Sequence, residues 1–83
     1  MKLSDHLQFT LNKQFEANAL ITMKYKRLDL TFKTDRDGNP ILLFIGRMDK
    51  NGKISGNRYV RTLKKDVMGN TIKDHWELKG KSS

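Results

Sequence analysis

Asp35-Arg36-Asp37-Gly38, Asp49-Lys50-Asn51-Gly52 and Asp66-Val67-Met68-Gly69 repeat one pattern, Asp-x-x-Gly, at near-regular spacing along the chain. An aspartate at the first position of a tight turn accepts hydrogen bonds from the turn's own backbone. A glycine at the fourth tolerates the positive φ that follows a type I turn. Short loops of this kind join antiparallel strands through a type I turn and a glycine bulge. Three of them in succession between apolar runs predict an antiparallel meander.

The runs between the turns support that reading. In Arg27-Leu28-Asp29-Leu30-Thr31-Phe32-Lys33 the apolar residues fall on every second position, which places Leu28, Leu30 and Phe32 on one face. Ile41-Leu42-Leu43-Phe44-Ile45 is apolar at every position, so both faces of that strand call for cover. A strongly curled sheet folding over itself, or the second copy of a homodimer, would supply it. The run from Lys53 to Lys65 places a basic residue on each face. In Thr71 to Lys79, Ile72, Trp76 and Leu78 point inward, with Asp74 as the odd inward member near an edge.

Upstream of the meander the periodicity is double. Leu3, Leu7, Leu11 and Phe15 recur every four residues behind Ser4 or Asp5 as an N-cap, which favours an amphipathic helix ending near Asn18. Leu7, Phe9 and Leu11 also alternate as in a strand; the helix is preferred. Ile21, Met23 and Tyr25 lie on odd positions and Leu28, Leu30 and Phe32 on even ones, so a bulge or break falls near Lys26-Arg27. The fold class expected is α+β and β-rich: an N-terminal helix followed by a curled antiparallel meander of four to five strands. Residues 1–83 read as one domain, with the small polar tail 79–83 expected to fray.

Eighty-three residues bury only roughly 60–65% of their unfolded surface, and no cysteine is present to staple a small core. The start Met1-Lys2-Leu3-Ser4-Asp5-His6 has no apolar run behind its charge, which predicts no export signal and a cytoplasmic protein. No apolar stretch approaches the length of a membrane span. Asp35-Arg36-Asp37-Gly38-Asn39 does not complete a calcium loop, because Pro40 and Gly46 stand where that loop needs glycine and glutamate. His6 and His75 belong to no triad, and Asp74, as a strand neighbour, points away from His75. No phosphate loop, metal cluster or nucleophile with its base is present, so neither catalysis nor a cofactor is expected.

Charge carries the functional expectation. Seventeen lysines and arginines face nine acids, a formal charge of +8, with eleven of the basic residues in 36–83. Such a balance points to a polyanionic partner. Basic residues interleave with aromatics at Lys24, Tyr25, Lys26 and Arg27 and again at Arg58, Tyr59, Arg61, Lys64 and Lys65. The expectation is a non-catalytic module that binds RNA or single-stranded DNA, with Lys24, Lys26, Arg27, Arg58, Arg61, Lys64 and Lys65 on phosphates and Tyr25 and Tyr59 on bases. Packing is the competing role for both tyrosines, and Trp76 is assigned to the core. The alternative function is self-association or protein binding through an apolar sheet face.

Overall fold

A computed structural model of the chain describes residues 4–82. Helix α1 spans Asp5–Leu11 and is followed by β1 (Leu20–Tyr25), β2 (Leu28–Thr34), β3 (Pro40–Met48), β4 (Ile54–Lys65) and β5 (Thr71–Ser82). The strands form one antiparallel sheet in the order β1-β2-β3-β4-β5, so each pairs with its sequence neighbour and the sheet does not close into a barrel.

The three Asp-x-x-Gly segments form the same turn. In each, one aspartate oxygen accepts the N–H groups two and four residues on: Asp37 and Asn39 for Asp35, Asn51 and Lys53 for Asp49, Met68 and Asn70 for Asp66. The glycine N–H donates to the aspartate carbonyl, and the aspartate N–H donates to the carbonyl of the fifth residue. Gly38, Gly52 and Gly69 all adopt φ near +80°. The change of parity near Lys26-Arg27 is a two-residue hairpin with Lys26 at φ 56°, which leaves Tyr25 and Leu28 opposite each other on one face.

That face is the core. Leu30 and Phe32 from β2, Leu43 from β3 and Tyr59 from β4 are buried under Leu7 and Leu11 of α1. Phe15, Ile21, Met23, Tyr25, Ile45 and Trp76 pack around them, and the Phe15 ring meets that of Phe32 edge-on at 4.8 Å. Ser4 caps the helix by accepting from the Leu7 N–H. Leu3, the first member of the four-residue series, lies outside the described residues.

The helix stops at Leu11, seven residues before the expected end. Residues beyond it spend their backbone groups on the first Asp-Gly turn instead. Phe15 N–H donates to Gly38 O at 2.8 Å, and Asn18 N–H donates to Asp35 O at 2.9 Å. Buried Thr34 receives the Ala19 N–H on its hydroxyl and donates to Glu16 O. Backbone polar groups in a covered segment must all find partners, and here they find them across the fold.

At the other end of the chain, residues 79–82 do not fray. They continue β5, with Gly80, Lys81 and Ser82 opposite Arg58, Asn57 and Gly56. Ser83 lies outside the described residues. Ile72, expected to point inward, is a bulged and exposed residue, because β5 there runs past the area that α1 covers.

Gly38 and Gly52 share a backbone conformation but not an environment. A Cβ on Gly38 would lie 2.2 Å from Phe15 O, whereas one on Gly52 would meet nothing within 4 Å. Gly52→Ala is therefore expected to cost only the left-handed penalty of about 1–2 kcal/mol. Gly38→Ala should cost a further ~1–3 kcal/mol for the displaced backbone. Urea midpoints of the two variants check this; equal losses would show that the Phe15–Gly38 approach is not a constraint on folding.

Candidate nucleic-acid interface

Because side chains alternate along each strand, the face opposite α1 is fixed by the same register that builds the core. It displays Leu20, Thr22 and Lys24 from β1, Asp29, Thr31 and Lys33 from β2, and Leu42 and Phe44 from β3. From β4 it takes Ile54, Arg58, Val60, Thr62 and Lys64, and from β5 Lys73, His75 and Glu77. The pairing lines up Leu20, Lys33, Leu42, Val60 and Glu77 in one cross-strand row, and Thr22, Thr31, Phe44 and Arg58 in the next.

The β3–β4 hairpin curls over this face. Gly46 and Gly56 stand opposite each other, and a Cβ on either would lie 2.0 Å from a carbonyl oxygen of the facing strand. Only two glycines permit that approach, and the bend brings Gly52, Lys53 and Ile54 toward Leu20, Thr31 and Phe44. Those six residues line an open groove of about 270 Å³. Leu42 and Phe44 are half-buried and Ile54 is buried, so the second cover that β3 requires comes at least partly from the chain's own curl. Phe44 and Lys53 stand in the groove wall, and Arg58 is in register with the phenyl.

Most of the acids are engaged within the fold, including Asp29 and Glu77 on this face. Asp35, Asp49 and Asp66 cap their turns. Asp29 accepts the Met48 N–H and pairs with Lys24 at 3.1 Å, and these two contacts hold its carboxyl below the usual range. Glu77 pairs with Lys79, which lowers its carboxyl in the same way. Among the described residues Lys33, Arg58, Lys64 and Lys73 enter no ion pair. Lys64 and Lys73 are directly opposite, an arrangement that disfavours the sheet unless an anion sits between them.

The residues singled out in the sequence divide into three groups. Arg58 and Lys64 are exposed on the groove face, and Lys65 is exposed beside the β4–β5 turn. Lys24, Lys26 and Arg27 are exposed at the β1–β2 hairpin, with Lys24 held by Asp29 and the Lys26 ammonium 5.6 Å from the Tyr25 ring. This end of the sheet lies level with Gly56, eight residues along β4 from Lys64, or about 26 Å at strand spacing. Lys24, Lys26 and Arg27 therefore do not meet Lys64 and Lys65, although Lys24 lies one cross-strand row from Arg58 on the same face.

Tyr59 and Arg61 form the third group, and both leave the exposed set. Tyr59 is 2% exposed in the core, where its ring packs rather than stacks on a ligand. Arg61 follows it on the same face and is sealed there. Its Nε and Nη2 donate to the two oxygens of Asp74, both at 2.7 Å. Its Nη1 donates to Leu11 O and Pro40 O, and Nη2 also donates to Asn12 Oδ1. All five donors of the guanidinium are thus satisfied. The group lies 5.6 Å from the Trp76 ring and ties the end of α1 to β3 and β5.

Sequence reasoning missed Lys33, Phe44, Lys53 and Lys73. Phe44 was hidden inside an all-apolar run, although its even position against odd Leu43 and Ile45 carried the signal. The aromatic on the accessible face is this phenylalanine, not either tyrosine. No group of three or more metal-ligating side chains gathers among the described residues. No helix there is long and apolar enough to cross a membrane. No protein family, curated protein or solved structure matches the chain.

The guanidinium of Arg61 holds the Asp74 carboxyl below the ordinary range. A carboxylate lowered in the folded state stabilises above its unfolded pKa, near about 3.9, and loses that contribution as pH falls through the folded value. Asp74→Asn should cost about 1–2 kcal/mol near neutrality, the scale of a charge-assisted contact at a partly exposed acid. The gap between parent and variant is expected to stay constant above about pH 5 and to narrow below pH 4. Urea titrations between pH 7 and 2.5 measure it, and a gap unchanged by acid would remove Asp74 as the ionised partner.

Proposed function

We propose that the protein is a non-catalytic binding module for single-stranded nucleic acid, RNA or single-stranded DNA, and that the groove face of the sheet is its contact surface. The observation that supports this best is the placement of Phe44 in an open groove, with Arg58 opposite it and Lys33 and Lys53 at the margins. A base stacks on an aromatic ring irrespective of its identity, and cations on both sides track the phosphates. The unpaired charge on this face, within a chain of net charge +8, supplies the attraction. Arg61 and Tyr59 have no part in the surface; the binding set is Lys33, Phe44, Lys53, Arg58, Lys64 and Lys73.

Each phosphate neutralised on a single strand contributes about 0.7 to the slope of log affinity against log salt. Replacing Lys33, Arg58, Lys64 and Lys73 together with glutamine is expected to lower that slope by about 2–3 for a mixed-sequence oligonucleotide. Phe44→Ala should weaken binding by about 1–3 kcal/mol at every salt concentration and leave the slope alone. Fluorescence anisotropy between 25 and 300 mM salt, about the range over which counterion release shows, reads both, with circular dichroism as the check on folding. A quadruple variant with the parent's slope overturns the proposal.

A second reading, self-association, draws on the apolar part of the same face. Leu20 is 70% exposed beside the groove, and Leu42, Phe44 and Val60 are only half-covered. A second copy would bury them. Sedimentation velocity across a hundredfold concentration range, of the order needed to resolve a micromolar dimer, decides the matter: a mass that rises with concentration favours this reading, and a constant monomer removes it.

A further inference from the structure

The β4–β5 hairpin extends beyond the rest of the sheet. Register between β3 and β4 ends at Leu42 and Val60, and past the Arg61 cluster the two strands pair only with each other. From Thr62 to Lys65 the paired strands cover about 10 Å at strand spacing, with the Asp66–Gly69 turn beyond them, and the molecule's long axis is 44 Å against 26 and 20 Å for the others. Residues 64–75 are all exposed.

Its tip is chemically unlike the other two hairpin tips. The turns are the same in backbone and hydrogen bonding, yet the middle pair is Arg36-Asp37 in the first, Lys50-Asn51 in the second and Val67-Met68 in the third. The turn needs no apolar residue at those places. Val67 is fully exposed and Met68 81% exposed. Behind the tip stand Lys64, Lys65 and Lys73, while the two acids of the ribbon are occupied, Asp66 by its turn and Asp74 by Arg61. An apolar point ringed by unpaired cations matches a surface with an apolar plane bordered by phosphates.

We infer that this ribbon is an arm that engages base-paired DNA next to a single-stranded tract, with Val67 and Met68 packed on the exposed face of the terminal base pair. Lys64, Lys65 and Lys73 lie against the flanking phosphates, and the like-charged pair Lys64–Lys73 gains the anion its register calls for. An apolar wedge in an intact duplex must first unstack a step, which a two-residue tip on so small a chain is poorly placed to do. At a junction that step is already open. The inference takes the polyanionic class of partner from the sheet-face proposal and adds the structured end of the ligand. The single strand runs over the groove while the arm reads where pairing begins.

The test compares labelled tailed duplex DNA with the same single strand alone, using the parent and the Val67→Ser, Met68→Ser double variant. The parent should prefer the tailed duplex by about tenfold, and the tip variant should reduce that preference below about twofold with single-strand affinity unchanged, since burying two apolar side chains against a base plane is worth at least this much. A parent without the preference, or a tip variant that keeps it, overturns the arm. Sedimentation with phosphatidylserine vesicles separates the other surface of matching chemistry: loss of vesicle binding in the tip variant, with the DNA preference intact, assigns the tip to a membrane and overturns the inference. Arg58→Gln judges the groove independently. If it leaves single-strand affinity intact while the tip variant loses the preference, the arm stands and the sheet-face proposal falls.

Discussion

One aspartate oxygen accepting two backbone N–H groups, repeated at Asp35, Asp49 and Asp66, is the constraint on which the rest of the molecule depends. It fixes the length and hand of three hairpins and therefore the register of four strands. Since strand side chains have a period of two, a slip of one residue at any of these turns would exchange the two faces downstream of it. Correct register puts Leu30, Phe32, Leu43 and Tyr59 under the helix and Lys33, Phe44 and Arg58 on the opposite side. The core and the cationic groove are two consequences of one set of turns.

The strands and turns were legible because local chemistry and apolar alternation pointed the same way. The helix end was not. Leu11 and Phe15 continue the four-residue spacing, but the backbone between Phe15 and Ala19 bonds to the Asp35–Gly38 turn and to Thr34, and tertiary partners took precedence over periodicity. Phe9, the residue that made a strand conceivable, is 66% exposed on the outer side of the helix. The paired tail was missed for a similar reason: its composition is that of a loose end, while β4 offers partners for it as far back as Gly56.

On the site, composition identified the charge and misjudged two of its carriers. Arg61 and Asp74 both fall on expected strands with Asp74 inward, but counting pairs from Lys65 and Thr71 puts Thr62 opposite Asp74; the bulge at Ile72 shifts the register so that Leu63 faces Asp74 and Arg61 lies two pairs further on, on the same face. The buried guanidinium beside an inward carboxylate therefore depends on a bulge that local chemistry does not mark, and it removes Arg61 from any ligand surface. Tyr59 follows the same parity into the core. The curl at Gly46 and Gly56 was not derivable in direction, because a bend toward either face uses the same residues. That bend makes the groove around Phe44 and offers β3 a cover within a single copy of the chain.

The central claim is that the face opposite α1 is where a polyanion lies. Backbone amide shifts of the uniformly labelled protein, followed as a short oligodeoxynucleotide is added, test it most directly. The account predicts the largest changes at Thr31, Lys33, Phe44, Lys53 and Arg58, with Leu7, Leu11 and the Lys26-Arg27 hairpin still. Changes concentrated on the helix or on that hairpin, or none at saturating oligonucleotide, would contradict it.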